Sequence, residues 1–203
     1  QRCTASSRFI VQKGIYPAFV AEMTRRLQAL RVDDALQAGT DIGPVVDQSQ
    51  LDQNLRYVAI GQEEGAKLAC GGSPLVRPKK GFYMAPALFI DANNAMRIAR
   101  EEIFGPVLVM IGYDTVDEAV QIANDTPYGL AAYVSGTDVD ATRKVAARLR
   151  AGQVNINSAA PDFMAPFGGY KQSGNGREWG DHAFAEFLEV KALLGFAPKP
   201  AAS

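Results

Sequence analysis

Short apolar runs alternate with segments of helical periodicity along almost the whole chain, and that alternation restricts it to an α/β fold. Arg8–Val11, Lys67–Cys70, Pro106–Ile111, Leu130–Val134 and Gln153–Asn157 are strand-like runs of four to six residues. Tyr16–Leu30 carries Phe19, Val20, Met23, Leu27 and Leu30 at helical spacing, with Pro17 suited to the first turn. Ser49–Glu64 reads as a second helix, with Ser49 as its N-cap and Gly65 as its stop. Thr115–Asn124 predicts a helix with Val116, Ala119, Val120 and Ala123 inward, and Asp138–Ala151 another. Shorter helices are expected at Asn94–Arg100 and Asp181–Phe187. Phe82–Met84 and Ala87–Ile90 are extended around Pro86, and Glu189–Leu194 reads as a last strand. Gly71–Gly81 reads as a surface loop. The whole predicts a three-layer α/β/α sandwich built on a mostly parallel sheet.

Composition narrows the function classes. The chain has 203 residues, 47% of them hydrophobic and 21% charged, enough to bury a substantial core. A formal net charge of -1 argues against nucleic-acid binding, which needs clustered Lys and Arg against phosphate. No apolar run approaches the roughly 20 residues that span a bilayer. Two cysteines, Cys3 and Cys70, make no disulfide scaffold and fit a reducing, cytoplasmic compartment. One histidine, His182, excludes a His-rich metal site, so no metal is expected. The chain opens Gln1-Arg2-Cys3 without Met, which reads as part of a longer protein, and 197–203 is a Pro/Ala-rich tail.

Three blocks could carry chemistry. Cys3 is followed by Thr4–Ser7, small polar residues that can begin a helix. Free N–H groups and the helix dipole would then stabilise its thiolate, with Arg2 and Arg8 adding positive potential. The alternative is a small apolar core residue, which is also the reading for Cys70. His182, after Gly180-Asp181, reads as a capping or surface residue. Glu101-Glu102-Ile-Phe-Gly-Pro-Val107 sets two carboxylates and an aromatic before a turn and a strand. A carboxylate there can accept from a ribose diol and Phe104 can pack on a flat heterocycle; the alternative is a solvated acidic pair. Ala165–Glu178 is glycine-rich but has no phosphate-loop spacing. It reads as a long loop across the surface, with Phe167 free to line a pocket.

Taken in order, these blocks resemble the C-terminal catalytic domain of the aldehyde dehydrogenase superfamily. The resemblance rests on Gln1–Arg8, Ile42–Val46, Glu64–Leu68, Gly71-Gly72, Glu101–Val107, Ala123–Leu130 and Pro166–Glu178. It implies Cys3 as the nucleophile, Glu102 on the nicotinamide ribose, Phe104 beside the nicotinamide, and Phe167 in the aldehyde pocket. The specificity loop falls at 158–165, where Phe163 and Asp162 are the candidates. It further implies a catalytic domain over 1–187, an oligomerisation strand over 188–196 and a homo-oligomer. The implied reaction is NAD- or NADP-dependent oxidation of an aldehyde to an acid through a thiohemiacetal and a thioester.

The family's oxyanion Asn, general-base Glu and most of its dinucleotide-binding domain precede the cysteine, and here two residues do. The isolated chain is therefore expected to show no turnover and weak cofactor binding, and NAD is not distinguished from NADP. Val32–Leu36 and Gly43–Gln50 are similar to semialdehyde dehydrogenases; a carboxylated substrate would need a cation, and Lys171 and Arg177 are the available ones. The competing readings are a CoA-acylating semialdehyde dehydrogenase and a non-catalytic assembly module.

Overall fold

Strand β6 (Val107–Tyr113) sits between two neighbours in a four-stranded sheet of order β1-β6-β5-β2. The others are β1 (Arg8–Gln12), β2 (Lys67–Cys70) and β5 (Ala87–Ile90). The computed structural model describes residues 1–195; the tail expected at 197–203, and residue 196 of the expected oligomerisation strand, lie outside them. β1 and β5 both run parallel to β6, with Ile10 opposite Ile111 and Leu88 opposite Leu108.

Successive side chains of a strand point to opposite faces, and here both faces are covered. Phe89 and Val109, both fully buried, face a cluster with Leu51, Tyr57 and Val58 of α2 (Gln48–Glu63) and Ile98 of α3 (Arg97–Arg100). Leu88 and Met110 face the other way, onto Phe19, Val20, Met23 and Leu27 of α1 (Tyr16–Ala29). The periodic residues of α1 thus pack as their spacing predicted. Cys70 is a buried core residue of this second cluster, and burial pushes its thiol pKa up.

The sheet is mixed, and it is not the only one. β2 pairs with β5 antiparallel, and β3 (Pro74–Leu75) pairs antiparallel with β4 (Tyr83–Met84). A parallel pair needs a crossover, usually a helix, and no helix lies between β2 and β5. The segment expected to be only a loop therefore contains β3. A further parallel pair, β7 (Ala131–Val134) with β8 (Gln153–Ile156), forms its own two-stranded sheet.

Several helices differ from the sequence reading at their ends. Asp47, not Ser49, caps α2, accepting from the Gln50 N–H at 2.8 Å. α3 is shorter than expected because Asn93 and Asn94 are used as turn and bridging residues: Asn93 Oδ1 accepts from the Ala95 N–H, and the Asn94 amide donates to Asp125. Thr115 caps α4 (Val116–Asn124), which leaves Val116 47% exposed rather than inward. α5 (Val139–Ala146) stops early, because the Asn124 amide clamps the Arg148 carbonyl and the Arg150 N–H. Asp181–Phe187 is a 3-10 helix rather than an α-helix. Glu189–Leu194 forms no strand in the single chain, and Val190, Leu193 and Leu194 are exposed there.

Gly71 shows how tightly the β2 end is built. Its φ is +71°, and a Cβ there would lie 1.8 Å from the Pro86 carbonyl oxygen. Gly71→Ala combines backbone strain with that clash and is expected to lower stability by at least about 1–3 kcal/mol, read from urea unfolding of the two chains.

Candidate active site

Cys3 lies in a turn, not at a helix N-terminus. The Ala5 N–H donates to the Arg2 carbonyl at 2.9 Å, and the chain enters β1 at Arg8. The helix expected to begin at Thr4 does not form, so no helix dipole acts on this thiol. The turn is fixed from two sides instead. The Val109 N–H donates to the Ser7 carbonyl at 2.9 Å, extending the β1–β6 ladder toward it. On the other side, the Tyr133 hydroxyl of β7 donates to the Thr4 carbonyl at 2.7 Å. Cys3 itself is exposed, so the core-residue alternative does not hold.

The segment that enters β6 is the partner of this turn. Because β1 and β6 are parallel and Arg8 pairs with Val109, residues 102–105 and residues 3–7 lie at the same end of the sheet. The acidic pair divides its labour. Glu101 accepts from the Tyr57 hydroxyl at 2.5 Å and from Arg97 at 3.1 Å, so it fastens α3 to α2. Glu102 is exposed, and its carboxylate has no hydrogen bond or ion pair among the described residues. Ile103 buries its side chain in the core. Phe104 then takes φ +59°, an uncommon conformation for a bulky residue, and leaves its ring 45% exposed.

Helix α2 holds that strained turn. Gln50 and Gln53 both donate to the Ile103 carbonyl at 3.0 Å. Gln50 also donates to Asn54 Oδ1 at 2.8 Å, and Asn54 is fully buried. A Cβ on Gly105 would meet Asn54 Oδ1 at 2.1 Å, so only glycine lets the turn lie against this amide. The sequence reading did not single out Gln50, Gln53 or Asn54. Their spacing puts polar groups on one helix face, a pattern that ordinarily marks the solvent side.

The loop after β8 carries the expected specificity residues. Asn157 and Ser158 both have positive φ, and the Asn157 amide bonds both backbone groups of Gly136 at 2.9 Å. Asp162 turns the loop by accepting from the Met164 N–H at 2.9 Å. Trp179 packs against both Phe163 and Phe167. Its ring lies 4.9 Å from Phe163, edge-on, and 4.8 Å from Phe167. Phe167 and Glu178 exchange backbone hydrogen bonds of 2.8 and 2.7 Å, which brings Trp179 into place. Trp179, the only tryptophan of the chain, was not among the expected site residues.

The remaining candidates lie elsewhere. Lys171 Nζ donates to the carbonyls of Asn124 and Thr126, and burial lowers its pKa, with Arg150 and Arg8 adding to the shift. Arg177 donates to the carbonyls of Gly169, Asn175 and Gly176. Both cations therefore brace the glycine-rich loop. His182 is exposed on the 3-10 helix. Among the described residues no group of His, Cys, Asp and Glu could hold a metal ion, and no helix is long and apolar enough to cross a membrane.

An exposed cysteine and, at the same end of the sheet, an exposed carboxylate and a half-exposed aromatic ring stand on an α/β frame of mixed sheets. The Aldehyde dehydrogenase family profile matches residues 1–193, and the chain belongs to that family. A relative from Staphylococcus aureus (strain MSSA476) is 49% identical over 199 residues, covering 97% of this chain and 42% of its own length. Aldehyde dehydrogenase C from Pseudomonas syringae, solved as a cysteine-to-alanine mutant with NAD+ and octanal, is 48% identical with a TM-score of 0.93. That match covers 99% of this chain and 42% of the other. A Mycobacterium tuberculosis aldehyde dehydrogenase complexed with NAD+ is 41% identical with a TM-score of 0.89, over 98% of this chain and 42% of that one. The chain thus spans about 42% of the length of these relatives.

Glu101 carries a pH signature. Arg97, and then Tyr57, hold its carboxyl below the ordinary 4.5. A depressed carboxylate contributes stability above its unfolded pKa, and that contribution is lost as pH falls through the folded pKa. Glu101→Gln is expected to remove this part of the acid limb, seen as a flatter dependence of the urea midpoint on pH below 4.5.

Proposed function

We propose that this chain is the cysteine-bearing catalytic portion of an aldehyde dehydrogenase, with the sheet between helices of a three-layer α/β/α domain, that oxidises an aldehyde to a carboxylic acid with NAD or NADP. The observation that carries the reading is the shared entry of the Cys3 turn and the Glu102–Phe104 turn into the parallel β1–β6 pair. The relatives solved with NAD+ support NAD as the cofactor.

Cys3 is the nucleophile. Its thiolate adds to the aldehyde carbon and forms a thiohemiacetal, and the Cys3 backbone N–H is a donor for the developing oxyanion. The turn held by Ser7 and Tyr133 fixes where that sulfur stands, which keeps the reacting atoms in line. The residues present fit a nicotinamide nucleotide. Glu102 has a carboxylate free for a ribose diol, and Phe104 offers a ring face in a backbone held by Gln50 and Gln53. When bound, that cofactor would accept the hydride that the thiohemiacetal carbon loses, with the hydroxyl proton, in becoming the Cys3 thioester. Phe163 and Phe167 hold the body of the aldehyde. Hydrolysis of the Cys3 thioester returns the thiol and releases the acid. The C-terminal segment 188–196, with its exposed apolar residues, pairs with a second subunit in a homo-oligomer.

The test is cofactor reduction with an aldehyde by the full-length protein that carries this chain. Cys3→Ala is expected to lower the rate by ~10³-fold or more, with the urea unfolding of the two proteins compared as the control for folding. Turnover that persists in the variant would end the reading of Cys3 as nucleophile.

A further inference from the structure

We propose that the cleft between α3, the C-terminal end of α4 and the glycine-rich loop binds a small organic phosphate, with the Arg150 guanidinium as the direct partner of the phosphate group. None of Cys3, Glu102, Phe104, Phe163 and Phe167 lines this cleft, so it stands whether or not Cys3 is the nucleophile.

The cleft measures about 640 Å³, and its lining holds four cations, Arg97, Arg100, Arg150 and Lys171, against two carboxylates, Glu101 and Asp125. Both carboxylates are already engaged. Glu101 pairs with Arg97 at 3.1 Å and Asp125 with Arg100 at 3.0 Å. Lys171 directs its donors at the carbonyls of Asn124 and Thr126. The Arg150 guanidinium has no hydrogen bond or ion pair among the described residues and lies 6.0 Å from the Tyr170 ring. Two positive charges are therefore left without a carboxylate on a concave wall, where such an excess concentrates anions. The excess is felt at Lys171, whose pKa falls through burial and then through repulsion from Arg150 and Arg8. A seated anion would relieve that repulsion.

The cations are fixed by the fold in advance. Asn124, at the end of α4, accepts from the Arg150 N–H at 2.8 Å and donates to the Arg148 carbonyl at 2.9 Å. Lys171 ties the glycine-rich loop to the same segment at 2.7 and 3.0 Å. Three elements are thus cross-linked around the cleft, which limits the ordering that binding must impose. The excess of two charges matches a phosphomonoester, which carries about 1.5–2 negative charges at neutral pH; a monocarboxylate carries one. The guanidinium fork suits two phosphate oxygens at once. The cleft is larger than a bare phosphate needs, and Pro127 and Tyr128 wall the remaining space for an organic body.

The test uses the full-length protein that carries this chain, with NAD in excess so that a dinucleotide site is already filled. Inorganic phosphate, ribose 5-phosphate, adenosine 5′-monophosphate and malonate are titrated by calorimetry. Hydrogen exchange is read on peptides covering 94–101 and 123–128. At least one of the organic phosphates is expected to bind more tightly than inorganic phosphate and to slow exchange in both peptides. Tighter binding of the nucleotide assigns the site to nucleotides, and tighter binding of ribose 5-phosphate assigns it to sugar phosphates. Arg150→Gln is expected to weaken binding about tenfold or more. Arg148→Gln, two residues away and paired with Asp117 outside the cleft, is expected to leave it unchanged. Equal loss in the two variants overturns the proposal. So does malonate bound as tightly as the phosphates, or no binding of any probe.

Discussion

The parallel pairing of β1 with β6 is the constraint on which the candidate site depends. Two segments about a hundred residues apart, one bearing Cys3 and one bearing Glu102 and Phe104, enter adjacent strands from the same end. A parallel pair requires this, because its strands share a direction; an antiparallel pair would send the two turns to opposite ends. The pairing is held by burial. Met110 and Val109 of β6 are fully buried on opposite faces, so a slip of one residue would turn each core side chain into the wrong layer.

Around that pair the protein uses backbone carbonyls as handles. Tyr133 holds the Thr4 carbonyl, Gln50 and Gln53 hold that of Ile103, and Arg177 holds three in the glycine-rich loop. Each handle satisfies a carbonyl that no ladder or helix pairs, so irregular backbone can be both ordered and close to reactive groups. Positive φ at Phe104 and Lys171 falls in these same segments. Strain of this kind persists only where surrounding contacts over-determine it, and the handles supply those contacts. The site is therefore a set of strained turns gripped by regular elements.

The cations illustrate how position changes meaning. Lys171 and Arg177 sit in a glycine-rich stretch and, by sequence alone, could face a bound anion. In the fold each is turned inward to carbonyls, and Lys171 is desolvated enough for its pKa to fall. Glu101 and Glu102 make the same point in reverse. Adjacent and chemically identical, one is bound by Tyr57 and Arg97 while the other is exposed and without such partners among the described residues.

The sequence by itself determined most of the order of elements, the face that α1 buries, and the motifs that mark the family, because periodicity and short motifs are local properties of the chain. It placed Cys3, Glu102, Phe104, Phe163 and Phe167 as candidates through ordered motifs, while misjudging the backbone at Cys3, where a helix was expected and a turn is found. Only the tertiary structure decided the mixed sheet, the early end of α5 under the Asn124 clamp, and the roles of Asn54 and Trp179. Those depend on contacts between residues distant along the chain. A buried amide beneath Gly105 and an indole between two phenyl rings leave no periodic trace, because their partners come from other elements.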